Sequence, residues 1–201
     1  MLGYTEFTKE ILNEMSKRIG NWSPQELLDH NNNKEIYLEL KRDKFKELVF
    51  KVDEYSNMFR AKGIYFILDD KIQQITYKMT FKTDRNKLLG NYVWQSTVWS
   101  QGGISYLKGL PTKMIFDYLL KKYEVVVTDS EQSFDGERFW RNIIQEAFTK
   151  NINVYYYNFL SKELIKMKDF YDWWNFQTHN DVWGDNKQHE LKRMLITTKE
   201  L

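Results

Sequence analysis

The apolar residues of this chain follow two different periods, and the change between them restricts the fold more than any other feature. Residues 74–81 alternate polar and apolar side chains, which is the pattern of an antiparallel strand with one buried face. From Leu110 onward, segments of helical spacing alternate with short apolar strands. These segments are the helices Leu110–Lys122 and Asp135–Lys150 and the strands Glu124–Thr128 and Asn153–Phe159. The order predicts an antiparallel meander that leads into a strand–helix–strand (βαβ) unit.

The remaining segments complete this order of elements. Two helices come first, strands follow, and a helix and a strand close the chain. The predicted bounds are Tyr4–Ile19 and a short helix starting at Ser23, the strands Glu35–Leu40 and Phe45–Val52, a hairpin turn at Asp69–Lys71, the helix Ser161–Phe176 and the strand Leu191–Thr198. Strands joined by a crossover helix usually run parallel. We therefore expect an α/β (α+β) fold, in which a mixed sheet has helices on both faces. Residues 1–201 are expected to form a single domain.

The composition argues against several classes of function. The chain has 201 residues, a length typical of one domain, and no cysteine, which removes disulfides and thiol nucleophiles. A net charge of +2 argues against a nucleic-acid partner on electrostatic grounds. No apolar run approaches the ~18 residues of a membrane span, so we expect no membrane partner. The absence of cysteine makes a cytoplasmic location the default expectation. The three histidines match no metal-binding spacing, so no metal is expected.

The predicted ligand crevice lies where the meander meets the crossover unit. In open α/β sheets, ligands bind beyond the carboxyl ends of strands at the point where the strand order changes. The segments beside this point are Gln101–Thr112 and Thr128–Gly136, and the second, TDSEQSFDG, is rich in acids and hydroxyls. Two interpretations stay open for it. It is a ligand-binding corner, or it is a set of turns and caps for the next helix, with Ser133 or Asp135 as the cap.

The order of elements resembles the GNAT (N-acetyltransferase-like) fold, in which helices near the N-terminus and an antiparallel meander precede a helix, a strand, a helix and two closing strands. The resemblance covers roughly Tyr4 to Thr198. The corner VVVTDSEQSFDGERFW is also similar to a strand-to-helix pattern of uncharacterised, often phage-encoded, GNAT-like proteins. The matching positions are Asp129, Gln132, Ser133, Gly136 and Trp140, with Thr128 where a serine is common.

The resemblance implies acetyl-CoA or another acyl-CoA as cofactor. Family enzymes bind its pyrophosphate on a Q/R-x-x-G-x-G/A loop, where small residues let backbone N–H groups and a helix N-terminus approach the phosphates. The equivalent region here, SQGGISYLKGLPTKM, has the glycines without that spacing, and an ordinary loop with Pro111 at a helix start fits it too. The candidate cofactor-binding residues are Trp99, Gln101, Gly102, Gly103, Lys108, Gly109 and Thr112, with the strand backbone around Trp99–Gln101 holding the thioester.

The resemblance further implies transfer of the acyl group to an amine, whose identity the sequence does not reveal. Asp129 or Glu131 would accept the proton of the amine, although a carboxylate that fixes the loop backbone fits the same residues. Many family members protonate the departing thiolate with a tyrosine on the helix after the fifth strand, where this chain has Phe148. Phenylalanine has no proton to donate. Tyrosines 155–157 on the next strand are substitutes, with Tyr156 as the candidate, unless they only pack in the core.

The aromatic segment DFYDWWNFQTHNDVWGDNKQHE supports a rival function. Trp173, Trp174 and Trp183 suit a stacking platform for a base or sugar, or a surface for a protein partner. The same spacing also suits the buried face of the last helix. In the rival interpretation, the chain is a catalytically inactive GNAT-fold phage protein, and thus a viral protein, that binds a host or virion protein in the host cytoplasm. The sequence leaves open whether the chain is an enzyme.

Overall fold

The computed structural model describes residues 34–42, 44, 46–61, 64–100, 103–129, 134–180, 182–183 and 191–201. The fold divides into two compact units. The first comprises Met1–Phe81 and Ser96–Lys108, and the second comprises Lys82–Gln95 and Gly109–Leu201. The two predicted N-terminal helices lie outside the described residues. The expectation of a single domain stays a prediction.

Strands dominate the first part of the described chain, and strands and helices alternate in the second. The strands are β1 Glu47–Lys51, β2 Ser56–Ala61, β3 Ile64–Asp69, β4 Gln74–Asn86, β5 Gly90–Ser100, β6 Val125–Val127, β7 Asn153–Asn158, β8 Leu164–Met167 and β9 Lys192–Thr197. The helices are α1 Lys34–Arg42, α2, α3 Phe134–Thr149 and α4 Phe170–His179. α2 is α-helical over Leu110–Lys113, π-helical over Met114–Leu119 and α-helical again over Leu120–Tyr123.

The strands form one nine-stranded mixed sheet in the order β1-β2-β3-β4-β5-β6-β9-β7-β8. β1, β2, β3 and β4 are antiparallel neighbours, which confirms the predicted meander. β5 and β6 are parallel, so the change from meander to crossover lies at this pair, as expected. β9 is antiparallel to both β6 and β7 and lies between them. β6 and β7 therefore run in the same direction without being neighbours.

The helices of the second unit contact one another in chain order. The ammonium of Lys150, which directly follows α3, lies 5.5 Å from the ring centroid of Phe116 in α2. α3 contacts α4 through a cation–π pair described below. Phe176 of α4 packs on Tyr156 of β7, with ring centroids 4.9 Å apart. α4 therefore packs on the Tyr156 face of the sheet, and helices on both faces stay a prediction.

The segment Glu35–Leu40, predicted as a strand, belongs to α1 instead. Tyr37 and Leu40 are buried, at 4% and 6% exposure, whereas Leu38 between them is 37% exposed. Residues three apart share one face of a helix, so this burial follows the helical period. The Tyr37 hydroxyl donates a hydrogen bond to Asp70, which fixes that face against the β3–β4 turn.

The predicted helix Ser161–Phe176 is wrong in its first half, which forms β8 and pairs antiparallel with β7. The side chain of Asn158 accepts two backbone hydrogen bonds within the turn between these strands. α4 begins only after its N-cap Asp169, whose Oδ1 accepts the N–H of Asp172 at 2.9 Å. A polar turn and a capping carboxylate thus divide the segment into a hairpin and a short helix.

The polar side of β4 is buried, so the prediction of a half-buried strand is wrong. Thr76 is 0% exposed, Lys78 3% and Thr80 7%, and their apolar neighbours along the strand are buried as well. Both faces of this part of β4 are therefore covered. The alternation identified the strand but not the environment of its polar face, because a strand places polar side chains on one side whatever covers that side.

Candidate functional site

At its carboxyl end, β5 extends beyond the parallel strand β6. Val126 and Val127 of β6 are in register with β5. β6 ends at Val127, whereas β5 continues to Ser100. Thr128 and the half-buried Asp129 follow β6 directly. Both residues therefore lie beyond the carboxyl end of a sheet strand, where open α/β sheets bind their ligands.

Thr128 holds the end of β6 against β9. Its N–H donates to the carbonyl of Met194 at 2.9 Å, and its Oγ1 accepts the N–H of Met194 at 3.2 Å. The threonine side chain thus takes the place of the backbone carbonyl in the second bond. β6 ends at Val127, so Asp129 follows the last residue that is bonded to β9.

Tyr156 lies level with Thr128 on the other side of β9, because Met194 is also in register with Tyr156. Two strand spacings of ~4.8 Å put the two backbones about 10 Å apart. Tyr156 is 4% exposed. Burial raises the pKa of its hydroxyl, a hydrogen bond with Asn158 opposes this shift, and the Glu163 carboxylate adds to it. Tyr156 therefore keeps its proton at neutral pH.

The amino end of α2 has backbone donors without helical acceptors. The cap residue Gly109 has a left-handed φ of 74° and no capping side chain, and the first helical hydrogen bond runs from the N–H of Lys113 to the carbonyl of Gly109 at 3.0 Å. Pro111 has no N–H, so the orphan amides of the first turn are those of Leu110 and Thr112. Such a turn favours an anion.

α2 and β6 bring this helix end and Asp129 to the same end of the second unit. Glu124, with φ 63°, is the single residue that turns the chain from α2 into β6. α2 packs against β6, so the helix runs back along the strand. Its amino end, with Gly109 and Thr112, therefore lies at the end of the unit where β6 stops and Asp129 begins.

The other predicted site residues differ in what the structure describes. Glu131, Gln101 and Gly102 lie outside the described residues, and only the backbone of Trp99, within β5, is described. Gly103 and Lys108 belong to the first unit and are both exposed. Their roles stay predictions.

The three tryptophans of the aromatic segment have different environments. Trp173 is 0% exposed and belongs to the core, whereas Trp174 is 43% exposed. Trp183 is half-buried, and its Nε1 donates to Oε1 of Gln177 at 2.6 Å. The guanidinium of Arg141 lies 5.2 Å from the Trp174 ring and 6.0 Å from the Trp183 ring. Trp173 thus belongs to the core, whereas the Trp174 and Trp183 rings both lie next to Arg141.

Two groups of contacts were missed by the sequence reasoning. Arg141 binds Glu137 through Nε at 2.8 Å and Nη2 at 2.5 Å, and the spacing of four residues on a helix was the available signal. In the first unit, the Tyr106 hydroxyl donates to Oδ2 of Asp69 at 2.7 Å. These residues are 37 positions apart, so no local pattern connects them.

Comparison with known proteins does not assign a family. No protein-family model, curated protein or solved structure matches this chain. Within the described ranges, no three histidine or acidic side chains lie close enough together to bind a metal ion. The helices of the same ranges are too short or too polar to cross a membrane.

Proposed function

We propose that this protein is a GNAT-like, acyl-CoA-dependent N-acyltransferase that acts on an amine. The observation that carries the proposal is the end of β6, a short strand parallel to β5 that stops before it does and is followed by a half-buried aspartate. The element order of meander, helix, strand, helix and closing strands supports the same fold family. β8 and α4, inserted before the last strand, are an addition to that order.

The amino end of α2 supports the binding of an acyl-CoA. The orphan amides of Leu110 and Thr112 provide hydrogen-bond donors, and the positive end of the helix dipole favours the phosphates. Glycine at position 109 supports the turn that starts the helix, since its φ of 74° is one that residues with a Cβ rarely adopt.

Asp129 and Tyr156 support the two proton transfers that the reaction needs. The amine nitrogen attacks the thioester carbonyl, a C–N bond forms, the C–S bond breaks, and Asp129 accepts the proton that the nitrogen loses. The departing thiolate takes a proton from Tyr156 or from water. A tyrosine that burial keeps protonated is suited to that role, and Phe148 cannot fill it.

The proposal is tested by measuring thiol release from acetyl-CoA in the presence of small-molecule, nucleotide and protein amines. The expected result is turnover above the uncatalysed rate with at least one amine class, with loss of turnover in Asp129→Asn. Asp135→Asn is the matched control, since Asp135 is an exposed acid in the first turn of α3. Absence of turnover with every amine class would count against the proposal.

A second candidate function is the binding of a host or virion protein through α4. Tyr171 is 78% exposed and Trp174 43% exposed, beside the guanidinium of Arg141, and these three residue types are enriched in binding hot spots. In this alternative, Trp174→Ala abolishes co-purification of the partner. Acetyl-CoA has no effect on the protein. Saturable acetyl-CoA binding with turnover would contradict the inactive form of this alternative.

A further inference from the structure

Asn158 ends β7 on the side of the sheet where the candidate site lies. β6 and β7 run in the same direction, because β9 is antiparallel to both. Asn158 is the last residue of β7 and follows Tyr156 by two positions. It therefore lies on the carboxyl side of Tyr156, at the end of the second unit where Asp129 follows β6.

The turn between β7 and β8 fixes the side chain of Asn158. Its Oδ1 accepts the N–H of Leu160 at 2.9 Å and the N–H of Ser161 at 3.2 Å. Its backbone N–H donates to the carbonyl of Glu163, and its carbonyl accepts the N–H of Lys162, both at 2.9 Å. The oxygen of the side-chain amide is thus committed to the turn. Its nitrogen, Nδ2, is the part that remains to bind another group.

The Asn158 amide binds the hydroxyl of Tyr156. Residues two apart on a strand share one face of the sheet, so the two side chains are neighbours. Burial raises the pKa of Tyr156, and the hydrogen bond with Asn158 lowers it, which is the effect of a donor on the phenol oxygen. The Asn158 nitrogen therefore donates and the phenol accepts. A phenol has one hydrogen, and this bond does not use it.

The ring of Tyr156 is held by different contacts from its hydroxyl. Tyr156 is 4% exposed, and its ring packs on Phe176 of α4 with the centroids 4.9 Å apart. The carboxylate of Glu163, across the turn, raises the pKa of the phenol and so acts against Asn158. The ring position thus depends on packing, whereas the direction of the hydroxyl depends on the Asn158 amide.

We propose that Asn158 is a positioning residue, which holds the hydroxyl of Tyr156 toward the carboxyl end of β7 and leaves the phenol hydrogen for the departing thiolate. In this step the O–H bond of Tyr156 breaks, an S–H bond forms, and the phenolate later regains a proton from water. An N–H that donates to the oxygen stabilises the negative charge of the phenolate. The role in proton transfer rests on the proposed function, whereas the hydrogen bond belongs to the unliganded chain.

The test compares Asn158→Asp with Glu163→Gln. Aspartate keeps an oxygen for the N–H groups of the turn but has no N–H to donate to the phenol. Glu163→Gln is the matched control at the same turn, since it removes the carboxylate that opposes Asn158 and retains the amide. We expect the pKa of Tyr156 to rise in Asn158→Asp and to fall in Glu163→Gln. NMR titration of the full chain with ¹³C-labelled tyrosine measures it, and the signal of Tyr156 is identified by its loss in Tyr156→Phe.

The kinetic consequence is measured separately. We expect kcat to fall about tenfold in Asn158→Asp with the acetyl-CoA dissociation constant unchanged, and not to fall in Glu163→Gln. Asn158→Ser is the second variant if Asn158→Asp does not fold. Its hydroxyl caps the turn more weakly and has no amide to donate to Tyr156, so the pKa of the phenol should again rise.

The outcomes separate the hydrogen bond from the reaction. An unchanged pKa of Tyr156 in both Asn158 variants would overturn the positioning. A raised pKa with an unchanged kcat would overturn the role in proton transfer. A raised pKa in a chain whose wild type shows no turnover with any amine class would support the positioning and contradict the proposed function, so the two failures are distinct.

Discussion

Thr128 and Met194 are joined by two hydrogen bonds, one from backbone to backbone at 2.9 Å and one from the Met194 N–H to the Thr128 side chain at 3.2 Å. The side chain of Thr128 therefore completes the sheet at the residue where the main chain leaves it. Asp129 is the first residue beyond that point. The position of the proposed base thus depends on a threonine hydroxyl that is itself no part of the chemistry.

Replacing Thr128 by valine tests this dependence. Valine keeps the shape and strand propensity of threonine but leaves the buried N–H of Met194 without an acceptor, which typically costs about 1–3 kcal/mol. We expect that loss in the free energy of unfolding, measured by urea denaturation. Thr178→Val, at an exposed position of α4, is the control and is expected to change stability by less than about 0.5 kcal/mol. Equal effects of the two changes would contradict the role of the Thr128 hydroxyl.

Asp129→Asn tests the proposed base. An amide has the size of the carboxylate but cannot accept a proton at neutral pH, so we expect kcat to fall by about 10²–10⁴ while the acetyl-CoA dissociation constant stays the same. Steady-state kinetics and calorimetry together separate these effects. A full loss of acetyl-CoA binding in the variant would assign Asp129 to the loop structure instead.

Arg141→Ala tests the contact between α3 and α4. The guanidinium binds Glu137 through two nitrogens and lies on the Trp174 and Trp183 rings, so its removal should lower stability by about 1 kcal/mol. We also expect acrylamide to quench the tryptophan fluorescence more strongly. Arg138→Ala, an exposed position on the same helix, should leave both measurements unchanged. Unchanged quenching in Arg141→Ala would contradict the contact.

At alkaline pH, we expect the free energy of unfolding to depend on the protonation of Tyr92. Its hydroxyl donates to Oδ2 of Asp84 at 3.0 Å, and burial, then this hydrogen bond, raises its pKa to about 12. The ordinary pKa of tyrosine is about 10. The folded state therefore holds this proton more tightly than the unfolded state, and the stabilisation is complete below about pH 10 and is lost between about pH 10 and about pH 12.

Urea denaturation between about pH 9 and about pH 12 measures this effect. The free energy of unfolding should fall more steeply above about pH 10 in the wild type than in Tyr92→Phe, which has no phenol to ionise. Tyr171→Phe, at a position 78% exposed, should follow the wild type. Parallel profiles for the wild type and Tyr92→Phe would show that the Tyr92 proton is not linked to folding.

The sequence predicts the elements with strong periodicity and fails where a short segment fits two periods. The helix face with Trp140, Ile143, Ile144 and Ala147 is buried as predicted. The segment Glu35–Leu40 alternates over a few residues and also places Tyr37 and Leu40 on one helix face, and it forms a helix. Local periodicity does not distinguish the two, and the hydrogen-bond partner of Tyr37, Asp70, is 33 residues away.

The candidate site also combines features that local sequence patterns predict with features that they do not predict. The polar residues after β6 could be located because a strand end and a helix start are both local signals. The alignment of Thr128, Met194 and Tyr156 across three neighbouring strands could not be predicted. β9 comes from the end of the chain but lies between β6 and β7. Likewise, the bond of Tyr106 to Asp69 joins residues 37 positions apart, which no local pattern connects.

The most direct test of the central claim is isothermal calorimetry of the full chain with acetyl-CoA. We predict saturable binding of one acetyl-CoA per chain with a dissociation constant below about 1 mM, retained in Asp129→Asn. No saturable heat at ligand concentrations well above about 1 mM would contradict the claim that this chain binds an acyl-CoA.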